Sequence, residues 1–304
     1  MHIDPYIVLG SAIIGLLVGT TGAGGGALMT PMLILLFNVQ PDKAISSDLV
    51  AAVLMRPLGA AVHFRRGTVN TKLVGLLAAG SVPMAFLGAY LLHLIKKSAD
   101  TAQTDIERML GSALLVGAAA MVLRFILDRR AGNKREGVVT DIVVHPFRTV
   151  LIGMIGGIVV GMTSVGSGSL MIVLMLFLYP MLGANQLVGT DLAQALPLTG
   201  AAALGALAFG SVSFGVTTSL IIGSVPAVLV GSVLSSRAPD RVIRPIITFV
   251  ILASGLKYVG VDTKTLGWCL VGVLFAGFAT WLVLSKPWES SAEPAGDESV
   301  AAET

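Results

Sequence analysis

The chain is poor in the residues that soluble folds and most enzymes depend on. Only 12% of its 304 residues are charged, against roughly 25% in a typical soluble domain. That is too little charge to keep a globule of this size in water. A single cysteine, Cys269, excludes an intramolecular disulfide and any multi-cysteine metal or cluster site. Set in an apolar run, it reads as an inert buried thiol. His2, His63, His93 and His145 are scattered and show no metal-ligand spacing. No nucleotide-binding P-loop is present, so ATP hydrolysis by the chain itself is excluded. No nucleophile–base or metal constellation of an enzyme is visible, and no cofactor is implied. The N-terminus has no basic stretch before its first apolar segment, so no cleaved signal peptide is expected.

What is present is apolar. Hydrophobic residues make up 55% of the chain, and the mean hydropathy is +0.88. These values make lipid the natural solvent. The net charge of +3 then belongs to loops at a membrane surface. No basic patch interleaved with aromatics points to nucleic acid.

The sequence also repeats itself. Gly19-Thr20-Thr21-Gly22-Ala23-Gly24-Gly25-Gly26-Ala27 returns as Gly161-Met162-Thr163-Ser164-Val165-Gly166-Ser167-Gly168-Ser169, an offset of 142. Ser47-Asp48-Leu49 returns as Thr190-Asp191-Leu192, and Gly67-Thr68-Val69 as Gly210-Ser211-Val212, both at 143. Gly80-Ser81-Val82-Pro83 returns as Gly223-Ser224-Val225-Pro226, again at 143. A near-constant offset over four landmarks is an internal duplication. Glycine-interrupted apolar segments in matching places of two halves are the sequence pointer to a secondary transporter's binding site.

The expected fold is an all-α polytopic membrane protein. Residues 1–128 form the first transmembrane repeat, 129–145 a cytoplasmic linker and 146–260 the second repeat. An extra helix at 261–286 and a disordered acidic tail at 287–304 follow. In each repeat, segments 5–20 and 26–38, or 146–163 and 168–180, flank a glycine cluster. The short second arms, about 13 residues or roughly 20 Å, do not reach across a hydrocarbon core of about 30 Å. A glycine-broken re-entrant hairpin is therefore expected in each half. Full crossings follow at 43–64, 70–95 and 108–128, and at 186–208, 213–235 and 241–260. Arg129, Arg130, Lys134, Arg135 and Arg148 place the linker inside, and Arg65, Arg66, Arg237, Arg241 and Arg244 then also fall inside. Lys96, Lys97 and Lys257 fall outside, against the rule. Three crossings per repeat, an odd number, make the two repeats inverted, with the N-terminus outside.

Several residue groups carry candidate chemistry. Gly22, Gly24, Gly25 and Gly26, with Gly166 and Gly168, let backbone approach a ligand closely. The helices that follow offer free N–H groups and a dipole to an anion. Thr20, Thr21, Ser164, Ser167 and Ser169 add hydroxyls. The alternative is close helix packing through small residues; dense, repeat-paired clusters favour binding. Asp48 and Asp191 are ionisable groups inside apolar segments, where charge is costly and usually functional. They serve coupling of a proton or cation, or a structural role as a helix cap or by bonding glycine-loop amides. Arg56 lies near the middle of 43–64, about 12 Å along the helix from Asp48 and so too far for a direct ion pair. A guanidinium there suits a fork-like grip on an oxyanion; the alternative is snorkelling to headgroups. Its repeat partner is Thr199, so a charged grip is one-sided. Gln194, one turn beyond Asp191, offers a hydrogen bond to substrate.

In these motifs the chain resembles the TauE/SafE family, the sulfite and sulfonate exporters also called the toluene sulfonate uptake permease group. The resemblance covers roughly residues 8–260. It implies an inner-membrane permease for sulfur-containing anions such as sulfite, sulfonates or thiosulfate. The residues and the resemblance together give the expectation of a secondary transporter working by alternating access on a small oxyanion in the lipid bilayer. Two other readings stay open: a cation permease using Asp48 and Asp191, and a membrane enzyme or assembly factor.

Overall fold

The computed structural model describes residues 3–21, 25–65, 67–98, 102–131, 143–234, 240–262 and 264–272. Residues 1–262 form one compact unit and 263–304 a second. In the second unit the described residues, 264–272, are helical. The expected acidic tail and most of the expected linker and extra helix lie outside the described residues. So do Gly22 and Gly24. Cys269, expected to be buried, is exposed: in a chain solvated by lipid, an apolar neighbourhood does not imply an interior position.

Ten helices are described in the first unit. They are α1 (Pro5–Thr21), α2 (Gly26–Phe37), α3 (Pro41–Arg65), α4 (Thr71–Ser98), α5 (Ala102–Ala131), α6 (Pro146–Thr163), α7 (Leu170–Leu178), α8 (Ala184–Phe209), α9 (Phe214–Leu234) and α10 (Asp240–Tyr258). Local chemistry sets several ends. α1, α3 and α6 open on proline, whose fixed φ suits a first helical position and whose missing N–H is no loss there. α2 stops at Asn38, in the left-handed conformation. α7 cannot start before Leu170, because Gly166 and Gly168 take positive φ.

Six helices, α3, α4, α5, α6, α8 and α9, are long and apolar enough to cross a membrane. α6 reaches that length as an 18-residue helix, although the sequence reads it as one arm of a hairpin. α5 is longer than its expected 108–128, because its charged ends continue the helix past the apolar stretch. α10 has a shorter apolar stretch, Pro245–Tyr258. α2 and α7, with 12 and 9 residues, span only about 18 and 14 Å at the α-helical rise.

These two short helices sit in the middle of the packing. Gly26 to Ile34 of α2 are all buried. Around them lie Ile7, Leu110, Leu114, Leu220, Ile251 and Tyr258. Met171, Ile172, Met175 and Leu176 of α7 pack with Leu73, Leu77 and Leu182. Tyr6, Leu9, Phe147, Leu204 and Val233 are exposed on the outside, as a lipid-facing surface requires.

The halves exchange helices. α1 packs along α9 and α4 along α6, through small residues that let backbones touch. A Cβ added to Gly231 would stand 3.1 Å from the Cα of Gly19, and one added to Gly88 would stand 3.1 Å from the Cα of Gly161. These four glycines are repeat mates. In both pairs the helices run parallel, with Val8 beside Gly223 and Leu16 beside Gly231, and Leu77 beside Gly153 and Ala85 beside Gly161. Repeat-related α3 and α8 instead run antiparallel, with Ser46 at Gly210 and Gly59 at Leu192. So do α5 and α10, where Gly111 meets Tyr258 and Met121 meets Thr248.

Candidate functional site

The glycine motifs meet at the centre of the first unit. Gly25 and Gly26 open α2, and Gly26 lies directly on Ser164 of the second motif. A Cβ at Gly26 would fall 1.8 Å from the Ser164 carbonyl oxygen, so no other residue fits without moving that backbone. Ser164 itself holds the left-handed conformation, with φ 60°. It ends α6 and turns the chain through Val165–Ser169 into α7.

Asp48 ties this junction together. It is the eighth residue of α3, too deep for a cap. One carboxylate oxygen, Oδ2, accepts hydrogen bonds from Thr30 Oγ1 of α2 at 2.9 Å and from Ser164 Oγ at 2.8 Å. The other, Oδ1, is buried and has no hydrogen-bond partner among the described residues. Asp191 is likewise the eighth residue of α8, but its partners are different. It accepts from the backbone N–H of Gly168 and from Gln194 Nε2 at 3.3 Å. Gln194 in turn accepts from Ser81 Oγ at 3.2 Å. Both ends of the Gln194 amide are thus engaged by the protein.

Arg56 is buried, 9% exposed, in the middle of α3. It interacts electrostatically with Asp191 and with Asp48, but no described residue hydrogen-bonds or ion-pairs with its guanidinium. Its repeat mate Thr199 turns back onto its own helix, donating to the Ala195 carbonyl at 2.5 Å. The positive charge of the site therefore comes from one half. Arg124 of α5 adds a further positive charge toward Asp191.

The remaining sequence candidates divide. Ser167 and Ser169 are buried in the loop before α7, and Ser167 Oγ is without a hydrogen-bond partner among the described residues. Gly166 accepts the first N–H groups of α7, from Leu170 and Met171. Thr20 donates to the Leu17 carbonyl of its own helix at 3.0 Å. Thr21 ends α1. Two contributors escape the sequence reading. Thr30 gives no signal beyond a hydroxyl in an apolar helix. Ser81 does give one, since it sits in the repeated Gly-Ser-Val-Pro landmark.

Repeat-related backbone contacts flank the centre at opposite ends of the antiparallel α3–α8 pair. The Ser213 N–H donates to Ser47 Oγ at 3.1 Å, and the Asn70 N–H donates to Thr190 Oγ1 at 3.1 Å. At the Ser47 end an ion pair is added. Lys96 Nζ lies 2.6 Å from the buried Asp42 carboxylate and also donates to Ser211 Oγ. A small cavity lined by Leu49, Leu92, His93, Lys96, Phe209 and Ser211 adjoins it. Asp48 and Asp191 are 0% and 1% exposed, so the carboxylates of the site are fully buried.

Comparison with known proteins bears on this arrangement. The family described as Sulfite exporter TauE/SafE matches residues 7–258. The probable membrane transporter protein YjnA of Bacillus subtilis (strain 168) is 40% identical over 253 residues, covering 83% of this chain and 98% of that protein. A second probable membrane transporter from the same organism, YdhB, is 26% identical over 254 residues, covering 82% and 98%. No solved structure is a significant match.

Proposed function

The chain belongs to the sulfite exporter TauE/SafE family, and from that premise we propose that it moves small sulfur-containing oxyanions, such as sulfite, sulfonates or thiosulfate, by alternating access. It is a multi-pass cell-membrane transporter and not an enzyme. The observation that carries the anion reading is Arg56: a guanidinium deep in a membrane helix, beside two carboxylates and bonded to neither. A buried cation held by charge alone, its N–H fork without a partner among the described residues, is a receptor for a planar or tetrahedral oxyanion. The α2 N-terminus and the Ser167 hydroxyl support the same reading, since both are donors to an anion.

The rocking element in this proposal is one repeat against the other. Antiparallel pairing of α3 with α8 and of α5 with α10 supports an inverted arrangement of the halves, and α2 and α7 act as re-entrant arms. The site then lies where the arms meet, near the mid-plane.

The test is binding and transport together. Purified protein should gain thermal stability with sulfite, thiosulfate or a simple sulfonate and not with divalent cations. In proteoliposomes Arg56→Ala should abolish oxyanion counterflow, and Arg56→Lys should restore it poorly, because a point ammonium lacks the planar fork. Folded Arg56→Ala with wild-type counterflow would remove the anion grip from the account. Saturable cation transport without anion dependence would replace the whole reading with a cation permease using Asp48 and Asp191.

A further inference from the structure

We infer that Asp48, through an Oδ1 with no partner among the described residues, carries a proton that moves with each substrate anion, while Asp191 stays ionised as a fixed counter-charge. The inference rests on the oxyanion reading above.

The geometry separates the two carboxylates by the kind of donor each one meets. Asp191 accepts from two N–H groups, of Gly168 and Gln194. An N–H cannot reverse and accept, so a proton placed on a lone pair that meets one would lose that contact, and two N–H donors favour the ionised carboxylate. Asp48 Oδ2 accepts from two hydroxyls, of Thr30 and Ser164. A hydroxyl is donor or acceptor as its rotor turns, so these contacts survive either protonation state. Oδ1 remains, buried and with no described partner. It is a lone-pair site with room in the hydrogen-bond scheme for one O–H.

Charge arithmetic gives the proton a purpose. The charged group acting on Asp48 is Arg56 on its own helix, and Asp191 on α8 acts on that same arginine. The bonded neighbours of Asp48 on α2 and at the end of α6 are hydroxyls. Asp48, Arg56 and Asp191 sum to −1, and Arg124 acts on Asp191 from α5. Adding a monovalent anion to this buried group takes the sum of the three residues and ligand to −2. Adding the anion with one proton on Asp48 keeps it at −1, and it frees Arg56 from one of its two competing carboxylates. A buried site that must not accumulate charge therefore takes anion and proton together. The step is a proton transfer alone: an O–H bond forms on Oδ1 on one side of the membrane and breaks on the other, and nothing is oxidised or reduced.

Methanesulfonate is the probe, because it stays a monoanion and brings no proton of its own. Wild-type proteoliposomes with a trapped pH dye should acidify inside as the anion enters, one proton per anion. A gradient of one pH unit, acid outside, should drive about tenfold accumulation, the factor that a single proton at that gradient supplies. Asp48→Asn mimics the protonated carboxyl and should keep counterflow while its accumulation ratio falls to 1. Asp191→Asn should lose counterflow. Wild-type net uptake of the anion without luminal acidification overturns the inference and leaves the oxyanion reading standing. So does an Asp48→Asn variant that keeps gradient-driven accumulation, or one that folds and loses counterflow. Absence of counterflow of any oxyanion in the wild type overturns the oxyanion reading itself, and this inference with it.

Discussion

At the residue scale, the site depends on one hydrogen atom where any other side chain would begin. Gly26 is in contact with the Ser164 carbonyl, and Ser164 holds Asp48. Gly26→Ala must push the α6–α7 turn away. We expect overpacking of about 1–3 kcal/mol, a lower thermal midpoint in detergent and loss of most transport. Gly59→Ala is the control, because its Cβ would meet only Leu192 side-chain atoms at 3.8 Å or beyond; it should change neither. Equal behaviour of the two variants would show that the junction tolerates displacement. The glycines, both aspartates and Arg56 were legible in the sequence, because glycine clusters and charges are conspicuous among apolar residues. Which carboxylate bonds which donor was not. Thr30 and Ser164 come together across 134 positions, and nothing in either local pattern pairs them.

At the element scale, the helix ends divide into a charged and an uncharged set. Lys96 ties the end of α4 to the start of α3 and to the α8–α9 turn through Asp42 and Ser211. The repeat-related positions hold Asn185, Pro239 and Thr68, so the sequence offers no matching ionic tie at the other end. A half-exposed pair of this kind contributes about 1 kcal/mol, or roughly a fivefold bias. Lys96→Met should therefore raise the labelling rate of a cysteine placed at the cavity-lining Leu92 by about that factor, in a Cys269→Ser background. High salt should raise the rate in the parent protein in the same direction. Unchanged labelling would make the pair ornamental. Helix number and order were readable because the duplication fixes them: five elements in each half, at one offset. The ends were less so, since hydropathy marks the apolar stretch and a helix such as α5 continues through charged turns.

At the scale of the whole molecule, the antiparallel repeat-related helices make a topology prediction. Cysteines at Asp100, Gly137 and Ala295 should label from the outside, the inside and the inside, following the arginine distribution. Outside labelling at Gly137 would remove the inverted arrangement. The exchange of α1 and α4 between halves was not legible, because a helix apolar all round does not announce its partner. That exchange also has a consequence for biogenesis. α1 leaves the ribosome well before α9, yet its glycine face meets α9, some 209 positions later when counted from Gly15 to Ser224. At a synthesis rate of about 5–20 residues per second, it waits roughly 10–40 s for its mate. During that interval the translocon or the lipid must shelter the glycine face that α9 will cover. Cut between the halves and made as two chains, the protein should assemble only when both pieces are synthesised together, and each alone should fall to quality-control proteolysis.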